Sequence, residues 1–397
     1  MKVDWLIVGA GFTGCTLAER IATQLDQKVL LIDRRNHVGG NAYDYHNQNG
    51  ILLHKYGPHI FHTNSKKVWD YLSAFTDWRP YHHRVLAVVE GKKVPVPFNL
   101  NSLRQLFPES LADRMENALL DAYGFGVKVP ILRMREHENA DLRTLADYIY
   151  RNVFYSYTVK QWELKPEELD PSVTGRVPVY VSRDDRYFQD TYQAMPRFGY
   201  SALFEKMLDH RNIRILLNTD FRELDGLAKF KRMVYTGPVD DFFDHLHGHL
   251  PYRSLRFDFV NVDDDRVQEC GTVNYPNDYD FTRITEQKYL SGQKLPGSTL
   301  VVEYPQKHVP GKTEPYYPIP REENRLQYNR YLKEVEKLNG TVLLAGRLAD
   351  YKYYNMDQAV AHALKVFEDS IAARRTTVRE APARVTKKTP PATREAA

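Results

Sequence analysis

Near the start of the chain, Gly9-Ala10-Gly11-Phe12-Thr13-Gly14 carries three glycines in the order G-x-G-x-x-G. Such a loop can run close to a pyrophosphate and offer it the free N–H groups of a helix start. Gly9 permits the tight turn, Gly11 the approach to phosphate, and Gly14 the packing of helix on strand. Asp33 follows about twenty residues on, where a carboxylate can accept hydrogen bonds from ribose hydroxyls. Arginine is the second resource. Arg176 stands in KPEELDPSVTGRVP and Arg283 in DFTRI. A guanidinium fork matches phosphate oxygens and stays charged, although a solvated arginine is the plainer reading of either residue alone. The chain holds 27 tyrosines, whose rings and hydroxyls suit sugar and phosphate pockets as well as cores. His54, His59 and His62 fall in one stretch without carboxylate or cysteine company, so no metal site is expected there.

The bulk properties set limits. A chain of 397 residues allows two or three domains. A net charge of +4 argues against a nucleic-acid binder. Cys15 and Cys270 are the only cysteines and form no metal or redox spacing, which fits a reducing, cytoplasmic setting. Cys15 reads as a small buried hydrophobe. WLIVGA opens as a strand with no charged leader before it, so no signal peptide is expected. No apolar run approaches about 18 residues, so no membrane span is expected either.

The elements that must place these residues follow from periodicity. Asp4 to Val8, Gly14 to Leu25 and Val29 to Asp33 read as strand, helix and strand, a βαβ unit of about thirty residues. From Asn101 to Tyr157 the period is helical: Leu111, Met115, Ala118, Leu119 and Ala122 share one face, with Gly124 as a stop. Val177 to Val181 and Ser254 to Val262 read as strands of an antiparallel sheet, and Val234 to Pro238 as a strand entering a turn. Asn329 to Leu338 reads as a helix ended by Gly340, Thr341 to Ala345 as a strand, and Val360, Leu364, Phe367 and Ile371 as the inner face of a last helix. The chain thus leaves the nucleotide domain and returns at least once. After about Arg374 the sequence is basic and rich in threonine and proline, which predicts a disordered tail over 374–397.

Asp33-Arg34-Arg35 followed by Gly39-Gly40 resembles the second motif of FAD-binding glutathione-reductase-like families, and favours FAD over NAD. A longer series resembles the UDP-galactopyranose mutase family: HVGGNAY (37–43), HKYGPHIFHT (54–63), PFNLNSL (97–103), YTVKQW (157–162), YTGPVDDFFD (235–244), PYRSLRFD (251–258), DFTRI (280–284), EPYYPI (314–319) and AGRLADYKYYNMDQA (345–359). These run in family order over about residues 1 to 370. The resemblance implies an α/β fold: a Rossmann-like FAD domain from 1–80, 200–243 and 318–373, an inserted helical bundle over 98–164, and a twisted antiparallel sheet from 81–97, 165–199 and 244–317. It implies a homodimer that isomerises a nucleotide-linked pyranose to its furanose, most directly UDP-galactose, by attack of reduced FAD on the anomeric carbon.

The resemblance also assigns residues. Arg176 and Arg283 match the diphosphate-binding arginines, and His62 a histidine near the flavin. Thr158, Trp162, Tyr187, Asn274, Tyr317, Tyr353, Asn355, Phe154, Asn99 and Arg253 fall to the nucleotide-sugar. Gly9, Gly11, Phe12, Thr13, Gly14, Asp33, Arg34, Gly40, Asn41, His59, Ile60, Arg347, Tyr354 and Met356 fall to FAD. The chain departs from the family pattern where Asn355 replaces an aspartate, where Val153 replaces one of two phenylalanines, and at Pro58. These changes fall in the sugar and base pockets, so another donor, UDP-N-acetylgalactosamine or a dTDP-linked deoxyaminosugar, is an alternative. An amine-oxidase-like flavin oxidoreductase is the alternative outside the family.

Overall fold

The computed structural model describes residues 1–170, 178–224 and 226–373. Arg176 and the basic tail 374–397 lie outside the described residues.

Five parallel strands form the first sheet, in the spatial order Ile213–Leu216, Val29–Ile32, Trp5–Val8, Arg232–Tyr235, Val342–Leu344. The central strands Trp5–Val8 and Val29–Ile32 are apolar runs because both sheet faces are covered there, whereas the edge strand Ile213–Leu216 carries Arg214 and is exposed beyond Ile213. Alternate residues point to opposite sides. Ile7 and Leu31 meet Leu17 and Ile21 of the helix Phe12–Leu25, Phe204 of Gly199–Leu208 and Leu364 of Met356–Val366. Leu6, Leu30 and Ile32 meet a smaller cluster around Leu224 and Tyr235. The expected Rossmann-like α/β class holds, and the chain returns to this sheet twice.

The second sheet has seven strands, in the order Tyr317–Pro318, Tyr252–Val262, Ser298–Lys307, Arg283–Glu286, Thr272–Asn274, Val85–Val89, Lys92–Val96. Its neighbours are antiparallel except Thr272–Asn274 beside Val85–Val89, which are parallel. Residues 192–196 do not join this sheet, against the sequence expectation for 165–199. Tyr192–Pro196 lies between Phe61–Thr63 and Trp78–Pro80. The reason is apolar: Met195 enters the core of the nucleotide domain. On the same side Tyr192, Trp69, Trp78 and Phe61 stack in succession, each 4.8 Å from the next.

Against the second sheet stand the helices Leu100–Leu106, Glu109–Tyr123, Ile131–Arg135, Ala140–Ile149 and Ser156–Trp162, the last two joined by a π-helical turn, Tyr150–Tyr155. Leu103, Met115, Leu119, Leu142 and Leu145 share their core with Val85 and Val94 of the second sheet. Gly124 does end Glu109–Tyr123. Of the expected inner face, Met115 and Leu119 are buried and Leu111 and Ala118 pack against the same core, while Ala122 is exposed and Ala112 and Glu116 are buried instead. Glu116 can face inward because Arg104 and Arg183 pair with it at 2.9 and 2.6 Å. The helix expected from Asn329 begins at Glu322 instead, its first turns polar and mostly exposed. Among the described residues no helix is long and apolar enough to cross a membrane.

Candidate active site

Two cavities meet where the parallel sheet, the helices and the second sheet converge. One, of about 230 Å³, follows the glycine loop, and the other, of about 610 Å³, lies against the helices. They share His59, Arg347, Tyr354, Asn355 and Met356.

The first cavity is built on backbone. Gly9 has φ +101°, and a Cβ there would lie 2.0 Å from Thr236 Oγ1. Gly40 has φ +56°, and its Cβ would come within 2.8 Å of Gly11 Cα. Only glycines allow the loop after the first strand and the loop after the second to pack so closely. Asp33 Oδ2 accepts from the Ala10 N–H at 2.8 Å and Oδ1 from the Arg35 N–H at 2.9 Å. The carboxylate thus ties both loops together and keeps lone pairs toward the cavity. Gly9, Gly11, Phe12, Thr13, Asp33, Arg34, Gly40, Asn41, His59, Arg347, Tyr354 and Met356 line it. Gly14 does not; its missing Cβ would sit 1.9 Å from Gly9 O, so it serves the packing of helix on loop. Ile60 lines only the second cavity. A side-chain-free cradle at a helix start with a fixed carboxylate at the second strand fits the phosphates and ribose of FAD. Sequence reasoning missed Arg35 and Glu314 here. Arg35 lies over the Tyr56 ring at 4.3 Å and donates to Asn41 Oδ1 and Glu314 Oε2 at 2.9 and 2.8 Å. The signal was Glu314's place in the EPYYPI segment.

Arg283 anchors the second cavity. It stands opposite Glu303 in the sheet register. Its Nε and Nη2 reach Glu303 Oε2 at 2.9 and 2.7 Å. Burial pulls the guanidinium pKa down, but the Glu303 carboxylate more than offsets this, so Arg283 stays charged. Glu303 is itself buried, and its Oε1 has no hydrogen-bond partner. Sequence reasoning missed Glu303, although a lone carboxylate inside the apolar run STLVVEYPQK is a signal.

Phe154, Thr158 and Trp162 recur every four residues across the π-helical turn and the helix Ser156–Trp162, which sets them on one face. That face lines the cavity. Trp162 lies 6.3 Å from both Tyr317 and Tyr353, which stack on each other at 5.1 Å. Arg347 stands over the Tyr317 ring at 5.3 Å. Burial raises the Tyr317 and Tyr157 phenols far above pH 7, so both are neutral donors. Tyr187, Asn274 and Asn355 also line the cavity, and Asn274 Oδ1 is buried without a partner. Val85, Ala87, Val96 and Val153 bring methyl groups to the cavity wall, beside Thr272 and Asn274 of the adjoining strand.

His62 Nδ1 pairs with Asp190 Oδ2 at 2.9 Å, and its ring stacks on Phe188 at 3.6 Å. Asp190 and Phe188 were not foreseen. His59 Nδ1 lies 2.9 Å from Gly57 O, and the His59 N–H donates to His54 Nδ1 at 3.0 Å. Burial lowers the pKa of His59 to about 3, of His54 to about 4 and of His83 to about 3, so all three rings are neutral at pH 7.

Asn99 and Arg253, expected at the sugar site, lie elsewhere. Asn99 caps the helix Leu100–Leu106, accepting from Asn101 N–H and Ser102 N–H at 2.9 and 3.1 Å and donating to Asp185 at 3.0 Å. Arg253 is buried behind the cavity wall. It donates to Gln161 O at 2.9 Å and pairs with Glu163 at 2.7 Å, which ties the second sheet to the end of Ser156–Trp162.

Comparison with known proteins agrees with this geometry. Residues 152–353 match the family described as UDP-galactopyranose mutase, and residues 7–75 match that of the NAD(P)-binding Rossmann-like domain. A probable UDP-galactopyranose mutase of Klebsiella pneumoniae is 36% identical over 93% of this chain and 94% of its own. A dTDP-fucopyranose mutase of Escherichia coli is 33% identical over 91% and 96%. A crystal structure of reduced UDP-galactopyranose mutase has the same fold, with a TM-score of 0.68 at 16% identity, covering 94% of this chain and 96% of its own. With a likeness running through nine-tenths of both chains, this chain belongs to the UDP-galactopyranose mutase family.

Proposed function

We propose that this enzyme interconverts the pyranose and furanose forms of a nucleotide-linked hexose, UDP-galactose first, with FAD along the glycine loop and the sugar in the larger cavity. The observation that carries the reading is the charged Arg283, fixed by Glu303 in a cavity that joins the dinucleotide cradle through Arg347. Gly9, Gly11, Thr13, Asp33, Gly40 and Asn41 would hold the cofactor. When bound, reduced FAD supplies an electron-rich nucleophile for the anomeric carbon, so the rearrangement needs no net redox change.

The protein's own residues provide orientation and charge. Arg283 offers a permanent positive charge to the nucleotide diphosphate, holding it as it gains negative charge and keeping it near for return. Glu303 prevents the guanidinium from turning away. Tyr157, Tyr317 and Tyr353 present hydroxyls to phosphate and sugar oxygens, and Trp162 gives the nucleoside a flat surface. His62, oriented by Asp190, is placed to carry a proton to or from the sugar oxygens. Arg176 joins Arg283 in this proposal on the family resemblance alone. Homodimerisation and a cytoplasmic location belong to the proposal on the same ground, and light scattering of the purified enzyme tests the first.

The deciding experiment incubates the purified flavoprotein with UDP-galactofuranose, with and without dithionite, and separates the products. Conversion only after reduction is expected. Consumption of reductant in step with substrate would instead indicate an oxidoreductase, for which a buried diphosphate clamp has no use. A second reading, the same rearrangement of a dTDP-linked sugar, is supported by the methyl groups of the cavity wall at Val153 and by Asn355.

A further inference from the structure

Outside both cavities, one turn gathers side chains that the reaction does not use. Asp240 belongs to the short helix Val239–Phe242, and His245 and His249 follow in the turn that leads to the second sheet. One donor atom from each lies within 4.8 Å of the other two. We propose that Asp240, His245 and His249 form a binding site for a single divalent transition-metal ion, zinc by the chemistry of its donors.

Asp240 is buried and held from two sides. The Leu250 N–H donates to its Oδ2 at 3.0 Å and the Tyr252 hydroxyl to its Oδ1 at 3.2 Å. Fixed outer partners of this kind orient a carboxylate ligand and leave it a lone pair. His245 Nδ1 lies 3.4 Å from Asp240 Oδ2, and that nitrogen is buried with no hydrogen-bond partner. A buried ring nitrogen without a partner is unfavourable unless something else occupies it. His249 brings its ring to 3.8 Å from that of His245.

The backbone is arranged to allow this. Asp244 and His245 have φ of +49° and +58°, and Gly248 has +87°. The His245 N–H donates to Asp240 O, and the Gly248 N–H to His245 O, at 2.8 and 2.7 Å. The turn is therefore closed on itself before any ligand arrives. The nearby histidines are engaged elsewhere: His247 meets Glu334 at 3.3 Å and His308 meets Thr313 Oγ1 at 3.2 Å.

Two imidazoles and one carboxylate suit zinc and its transition-metal neighbours, whereas magnesium and calcium require mainly oxygen. Tetrahedral zinc with bonds of about 2.0–2.1 Å needs donors roughly 3.3 Å apart. His249 is exposed, and rotation of its side chain closes the difference. The fourth position falls to water. The site abuts the dinucleotide cradle, because the next residue, Asp241, lines that cavity and pairs with Arg34 at 3.5 Å.

The test is equilibrium dialysis of the chelator-treated, FAD-loaded full chain against zinc chloride, with magnesium chloride as the control. One zinc per chain is expected, with no retention of magnesium. His245→Ala/His249→Ala should weaken zinc binding by about 100-fold or more while FAD content and turnover stay at the level of the unaltered chain. If the double variant does not fold, the exposed His249→Gln alone should still weaken binding by at least about tenfold. Absence of zinc from the unaltered chain, or equal zinc affinity in the variants, overturns the proposal.

Discussion

Asp190 Oδ2 lies 2.9 Å from His62 Nδ1, beside the pairing of the strands Phe61–Thr63 and Tyr192–Pro196, while Phe188 stacks on the ring at 3.6 Å. The imidazole is thus fixed in tilt by one residue and in rotation by another, with Nε2 left for the cavity. His62→Ala is expected to lower kcat by about 10²-fold, and Asp190→Asn by a similar factor. The double variant should lose little more than either single one, because Asp190 acts only through His62. Losses that multiply would refute this coupling. Steady-state turnover of the three variants at equal FAD content decides it.

Arg283→Ala is expected to lower kcat by about 10²–10³-fold. Glu303→Gln tests a different property, because it leaves the guanidinium without its counter-charge. Breaking such a buried pair costs about 3–5 kcal/mol, so this variant should unfold at clearly lower denaturant concentration than Arg283→Lys. Equal stabilities would mean that the carboxylate does not hold the arginine.

The glycines separate into two classes. At Gly11 a Cβ would meet Gly40 Cα only at an ordinary 3.8 Å, whereas at Gly14 it would lie 1.9 Å from Gly9 O. Gly11→Ala should fold and lose FAD, and Gly14→Ala should fail to accumulate as soluble protein. The ratio of flavin to protein absorbance and the soluble yield report the two outcomes.

Stability should fall in mild acid. In the unfolded chain a histidine takes up a proton below about pH 6.5. The buried His54 and His83 stay neutral until about pH 4 and about pH 3. Between those limits the unfolded state binds more protons, so each ring removes up to about 1.4 kcal/mol of stability per pH unit on acidification. Chemical denaturation at pH 7, 6 and 5 (expressed as approximate unfolding free energies) should show a steady decline, and a flat profile would show that these rings already carry protons when folded.

Val153→Phe would fill space beside the methyl-bearing wall of the larger cavity. If that wall accepts the C5 methyl of thymine, the variant should shift the kcat/KM ratio toward uridine-linked sugars by about tenfold or more. An unchanged ratio would move the base to another part of the cavity.

The dinucleotide cradle was legible because its meaning lies in local spacing: three glycines and one aspartate at fixed distances along a βαβ unit. Glu303 was not. Its role appears only when two strands twenty residues apart align it with Arg283. Asn99 and Asn274 show the limit of residue type, since the same amide caps a helix in one place and lines a cavity in the other. Arg253 was misplaced for a similar reason: a guanidinium satisfies helix carbonyls as readily as phosphates. The sheet membership of Tyr192–Pro196 depended on a stack of aromatic rings drawn from separate segments, which no single window of sequence contains.

The parallel sheet takes one of its two edge strands, Val342–Leu344, from near the end of the described chain, and Arg347 follows three residues on. During synthesis, the glycine loop therefore leaves the ribosome about 330 residues before the strand that completes its wall, a delay of tens of seconds at about 5–20 residues per second. Until then the Arg232–Tyr235 edge stands open to other chains. The wall that Gly346 and Arg347 give to the cradle is therefore the last part of it to be made.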